Sequence, residues 1–129
     1  MSTRLLLPED RIAPEARTKM STLFADTIRE VEGAVRTHDV VVVGMAQNPH
    51  VRRAKRALDD AQIAYHSLSY GSYVSEWRRR LAIKCWSGWP TFPQVFVKGV
   101  LLGGADLTKA AIASGDLAKR LGGARVSGE

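Results

Sequence analysis

Only one cysteine, Cys85, occurs in the 129 residues. An internal disulfide, a Cys-x-x-Cys redox pair and a cysteine-based zinc site are thereby excluded. No apolar run approaches the roughly 20 residues needed to span a bilayer, so no membrane partner is expected. The opening stretch Met1 to Asp10 holds one positive charge and three leucines, too short a hydrophobic region for a secretory signal, and the cytoplasm is the expected location. Internal repeats and low-complexity segments are also missing. The length suits one ordinary domain and is too short for two. Acidic residues are in deficit, 13 Asp and Glu against 19 Lys and Arg, for a formal net charge of +6. Such a balance attracts anions without choosing among nucleic acid, an acidic protein and a small anionic ligand.

What the chain does contain is organised around Trp89 to Gly104. Two apolar runs, Val95 to Val97 and Val100 to Leu102, flank the pair Lys98-Gly99, the pattern of a tight β-hairpin. Pro93 stands just before the first run, where its missing N–H is tolerable. Gly103-Gly104 allow a sharp turn or a close approach, and Asp106 opens a helix. Residues 1–18 lack a clear period and are expected to form an extended or partly disordered arm. A helix is predicted from Met20, with Ser21 as its cap and Leu23, Phe24, Ile28, Val31 and Val35 on one stripe. Val40 to Val43 is a continuous β-branched run suited to a central strand covered on both faces.

Asn48-Pro49 then reads as a cap followed by the first residue of a helix that extends to about Ala61. Val51, Ala54 and Leu58 face the sheet, while Arg52, Arg53, Lys55 and Arg56 point largely outward. A strand over Ile63 to Leu68 follows, then a helix from about Ser75 that buries Trp77, Leu81 and Ile83. Final helical turns cover Asp106 to Ala113 and Asp116 to Leu121, with Ser114 as a cap for the second. The order implies an α/β fold, a mixed four-stranded sheet with helices on both faces, over residues 19–122, followed by a flexible tail at 123–129.

Trp89-Pro90-Thr91-Phe92-Pro93-Gln94, the hairpin and Gly103-Gly104-Ala105-Asp106 together resemble the C-terminal half of a glutaredoxin, especially of the single-cysteine (monothiol) branch. More weakly, the resemblance extends from about Met20 to Leu121. It implies the thioredoxin fold, a cis bond at Phe92-Pro93, and a groove for glutathione or another extended peptide. Within that groove, Thr91 and Phe92, before Pro93, would offer backbone groups to the ligand. Ala105 and Asp106 would take its γ-glutamyl end, and Arg80 would meet its glycine carboxylate. Read as scaffold instead, Pro93 shapes the start of a strand and Asp106 caps a helix.

The same resemblance places the family's nucleophilic cysteine in the loop before the second helix. This chain has Asn48-Pro49-His50-Val51 there, with Ala46 near the place of a usual lysine. An asparagine amide cannot pass through a mixed disulfide, so ordinary thiol–disulfide oxidoreductase chemistry is expected to be lost. Nor does asparagine replace cysteine well as an iron ligand, so an iron–sulfur cluster is not expected and no cofactor is required. The simplest role for Asn48 is that of an N-cap; His50 is either a solvated loop residue or an acid/base or anion contact. Cys85 reads as a small buried apolar residue. Alternatively, Lys84 and Arg80 activate it as a reactive thiol.

Three functions compete on this reading. The first is a binding or regulatory module related to redox homeostasis that retains a glutathione groove. The second is a glutathione-dependent redox enzyme that uses Cys85 or a partner's thiol. The third is an interaction module presenting Arg52, Arg53, Lys55, Arg56 and Arg78 to Arg80 to nucleic acid, or an exposed tryptophan to a protein partner or a second copy. Basic faces are usually just solvated, and no nucleic-acid recognition motif accompanies these.

Overall fold

The computed structural model describes residues 4–123. The expected flexible tail lies, apart from Gly123, outside the described residues, as do the first three residues of the arm. Elements run in the order α1 (Pro14–Thr22), α2 (Ala25–Thr37), β1 (Val40–Gly44), α3 (Pro49–Asp60), β2 (His66–Ser69), α4 (Trp77–Ser87), β3 (Gln94–Val97), β4 (Val100–Gly103), α5 (Ala105–Ser114) and α6 (Asp116–Ala118). A 3-10 turn at Glu9–Arg11 precedes them and a short π-helical turn at Lys119–Gly123 ends them.

Four strands form one sheet in the order β2-β1-β3-β4. β1 lies parallel to β2 and antiparallel to β3, which is antiparallel to β4. The valine run fills β1 as expected, and every residue of it is buried. A strand hidden on both faces is selected for such continuous β-branched side chains. Two helical pairs, α2 with α4 and α3 with α5, cover the sheet. The hairpin turns at Lys98-Gly99, both with positive φ (51° and 82°). This twist matches that of the flanking strands. Lys98 accepts the left-handed conformation with two contacts to Asp39: its N–H donates to Asp39 O at 2.8 Å and its Nζ lies 3.0 Å from Asp39 Oδ1.

Several expectations are corrected. The arm is not extended throughout, since helix α1 starts at Pro14, a residue whose fixed φ suits a first helical position. The stripe expected from Met20 is divided at Leu23 and Phe24; Phe24 has a φ of 47°, and α2 begins only at Ala25. Ser21 therefore caps nothing and donates its hydroxyl to Thr18 O inside α1. β2 begins at His66 because the Ile63 N–H closes α3 instead, donating to Leu58 O at 2.9 Å beyond a left-handed Gln62.

The burial of α4 also differs from the expectation. Arg80, Ala82 and Ile83 face inward, while Trp77 is 55% and Leu81 43% exposed. Trp77, Leu81 and Cys85 recur at a spacing of four, so they share one face, and that face is the outer one. Cys85 is consequently exposed rather than buried.

Candidate functional site

The first turn of α3, the loop before β3 and the first turn of α5 converge on one cleft. Its volume is about 370 Å³, and it is lined by His50 and Arg53, by Trp89 and Thr91 to Pro93, and by Gly104 to Leu107. The Phe92-Pro93 bond is cis. Among the described residues, the backbone N–H and C=O groups of Thr91 and the backbone groups of Phe92 have no hydrogen-bond partner. They form an unpaired stretch of backbone, at a bend just before β3, to which a peptide backbone can pair. The loop is secured from below by Gln94, a fully buried side chain whose Nε2 donates to Trp89 O at 3.0 Å. Gly103, with a φ of 122°, lets the Trp89 ring lie close: a Cβ there would come within 3.2 Å of the indole and 2.7 Å of Leu107. The Trp89 Nε1–H is buried without a partner among the described residues. Sequence reasoning missed the place of Trp89 in the cleft, although its position at the head of the Trp-Pro-Thr segment was a usable signal.

Asn48 lies at the base of the α3 side. Its carboxamide oxygen accepts from the His50 N–H at 2.8 Å and the Val51 N–H at 3.1 Å. That is an N-cap, and the side chain is buried at 6% exposure. Two donors of the helix N-terminus, otherwise free for an anion, are thus used within the chain.

Arg53 does not point away as the periodicity of α3 suggests. Its Nη1 lies 3.0 Å from Asp106 Oδ1, bridging α3 to α5, and its Nη2 lies 2.9 Å from His50 Nδ1. A guanidinium only donates, so His50 Nδ1 accepts, and in this contact the imidazole carries its proton on Nε2. Helical spacing places His50 and Arg53 three residues apart on one face, the only sign of their pairing in the sequence. Asp106 is not a cap: Gly104 occupies that position and Asp106 lies in the first turn of α5. Ala105 is buried beside it, and Phe92 is buried with its ring 5.7 Å from the Lys84 ammonium.

Thr91, Phe92, Pro93, Ala105 and Asp106 are therefore brought together. Arg80 is not. It is 7% exposed, its Nη1 donates to Tyr70 O at 2.8 Å and Ser75 O at 2.5 Å, and it is not among the cleft's lining residues. The guanidinium fastens the loop before α4. Cys85 lines a different, more apolar groove of about 440 Å³ with Met20, Leu23, Ile28, Ala82 and Trp86. The arginines expected to act as a basic run have separate surroundings as well: Arg79 pairs with Glu76 at 3.2 Å, and Arg78 lies over the Trp77 ring.

Comparison with known proteins agrees with this architecture. A family model described as glutaredoxin matches residues 40–102. A glutaredoxin-like protein of Dictyostelium discoideum is 47% identical over 98 residues, spanning 76% of this chain and 80% of that one. A mitochondrial monothiol glutaredoxin, S15, of Arabidopsis thaliana is 25% identical over 116 residues, covering 88% of this chain and 64% of that one. Among solved structures, a buckwheat glutaredoxin–glutathione complex superposes with a TM-score of 0.69 over 78% of this chain and 91% of that one, at 21% identity. The last likeness concerns the fold.

Proposed function

This chain belongs to the glutaredoxin family, and from that premise we propose that it binds glutathione, or a peptide like it, in the Thr91–Asp106 cleft without ordinary thiol–disulfide oxidoreductase activity. The observation that carries this reading is the use of Asn48. Where the resemblance puts a nucleophilic thiol, a carboxamide oxygen is bonded to two amides of α3. Thiol–disulfide exchange needs a thiolate that attacks sulfur and is later released, and an amide does neither. Cys85 stands on the outer face of α4 and lines another groove, so it is not placed to attack a ligand held between Thr91 and Asp106.

Support for the binding half comes from the unpaired backbone stretch at Thr91 and Phe92 and from the charged groups at the other end of the cleft. A related fold has been solved as a glutathione complex. An iron–sulfur cluster does not fit the residues present: the cleft contains no thiolate, and an asparagine carboxamide is a weak ligand for iron. The protein's role on this reading is redox-related recognition or regulation.

A glutathione-dependent disulfide reductase assay tests it. The chain should turn over no faster than the uncatalysed reaction, and Asn48→Cys should raise the rate about tenfold or more by restoring a thiol at a helix N-terminus. Brisk turnover by the unmodified chain that disappears in Cys85→Ser would instead establish the redox-enzyme reading.

A further inference from the structure

Three consecutive leucines stand in water near the start of the described residues. Leu5 is fully exposed, and Leu6 and Leu7 are 65% and 57% exposed, in a stretch that belongs to no helix or strand. Both ends of that stretch are tied down. Before the leucines, Arg4 Nη1 donates to Ser87 O at 3.1 Å, at the C-terminus of α4, where a cation suits the negative end of the helix dipole. Gly88 makes room for it, since a Cβ there would collide with the same guanidinium nitrogen. After the leucines, Arg17 of α1 holds Glu9 by its carbonyl at 2.9 Å and by its carboxylate at 3.5 Å. The leucines are thus stretched between α4 and α1 and turned outward.

The same two helices wall the apolar groove of about 440 Å³ that contains Cys85, with Met20 contributed by α1 and Ala82, Cys85 and Trp86 by α4. Leu23, also in its lining, is 47% exposed and Met20 is 59% exposed. One molecule therefore carries a projecting apolar ridge and, beside it, an open apolar groove. Each is unfavourable in water and each gains by burial against the other. The clamps at Arg4 and Arg17 keep the leucines outside their own groove.

We propose that two copies of this chain associate by exchange, Leu5 to Leu7 of each docking in the groove between α1 and α4 of the other. A two-fold axis makes such an interface isologous, with one patch serving both copies. A second copy suits the surface better than other occupants do. A bilayer is flat and would cover the ridge without entering the groove, and an unrelated peptide could fill the groove but would leave the leucines in water. Only a second copy satisfies both. The interface shares no lining residue with the Thr91–Asp106 cleft, so it adds a partner surface to the proposed ligand site without replacing it.

Sedimentation equilibrium of the whole chain, from low micromolar to millimolar concentration, tests the proposal. The mass should move from one chain towards two as concentration rises. Leu5→Asp with Leu6→Asp, both at exposed positions, should keep the parent's circular dichroism and weaken association about tenfold or more, because they carry charge into an apolar groove. Leu23→Asp, on the groove wall, should weaken it from the other side. Mixing the arm variant with the groove variant separates exchange from general stickiness. The intact leucines of one can enter the intact groove of the other, so the mixture should associate more tightly than either variant alone and less tightly than the parent. Iodoacetamide labelling of the exposed Cys85 should slow as the parent is concentrated, and should not slow in the arm variant. A single-chain mass at every concentration would overturn the proposal, and leucine-dependent binding to phosphatidylcholine vesicles in that case would assign the ridge to a lipid surface instead. Undiminished association of the arm variant, or a mixture no tighter than its components, would also overturn it. Faster Cys85 labelling in the arm variant, at concentrations where the parent is a single chain, would place the leucines in their own groove and rule out exchange.

Discussion

Asn48 anchors the start of α3, and on the proposed function it stands where a thiol would be needed. As an N-cap it accepts two amide hydrogens of α3, and replacing such a cap with alanine typically costs about 1 kcal/mol. Asn48→Ala should therefore lower the urea midpoint with an unchanged m-value, whereas Asn48→Asp should hold or raise it, since a carboxylate also suits the positive end of the helix dipole. An alanine variant as stable as the parent would mean that the hydrogen bonds contribute nothing net. The cap was legible in the sequence because Asn followed by Pro has a local cause that needs no knowledge of the tertiary structure. Arg53 was not. Its side chain crosses to Asp106, 53 residues away, and nothing in the period of α3 encodes that reach.

Individual elements show the same division between local and distant causes. The hairpin was legible almost to the residue, because Lys98-Gly99 between two apolar runs fits only a narrow set of turns. Helix α4 was misread because Trp77 and Leu81 appear more apolar than Arg80, yet the carbonyls of Tyr70 and Ser75 draw the guanidinium inward. A buried arginine with two carbonyl partners overrides a hydrophobic stripe, and the exposure of Cys85 follows from the same rotation of the helix.

The end of β2 is tied to α2 in a comparable way: the Tyr70 hydroxyl, on a residue 4% exposed, donates to Glu30 Oε1. Burial, and then the bond to Glu30 and its negative charge, push the Tyr70 phenol well above its ordinary range. In the unfolded chain the phenol ionises near pH 10. Stability from this group is complete below about pH 10 and falls as pH rises beyond it, because the unfolded state loses its proton first. Tyr70→Phe should be less stable than the parent by about 1–3 kcal/mol at neutral pH, for the loss of a bond to a charged acceptor. The difference should shrink above pH 10. A constant difference across that range would show that Tyr70 does not carry the alkaline loss.

At the scale of the whole molecule, the valine run of β1 specifies a sheet core, and the hairpin completes it. The helical pairs then bring His50 and Arg53 of α3 and Asp106 of α5 around the Thr91–Pro93 loop. Most of the cleft could be anticipated, since Thr91, Phe92, Pro93, Ala105 and Asp106 lie in two short segments flanking one hairpin. Arg80 could not be placed by the same reasoning, as its alternative partners are backbone carbonyls and these leave no mark in composition. The sole cysteine and the cleft lie in separate grooves, so on the proposed function no thiol of this chain adjoins the bound ligand.

The most direct test of that separation is an amide NMR titration with reduced glutathione. Binding in the cleft predicts saturable shifts concentrated at Thr91, Phe92, Ala105 and Asp106, with His50 and Arg53 moving alongside and Ala82, Cys85 and Trp86 unmoved. No shifts at millimolar ligand, or shifts centred on Cys85, would contradict it.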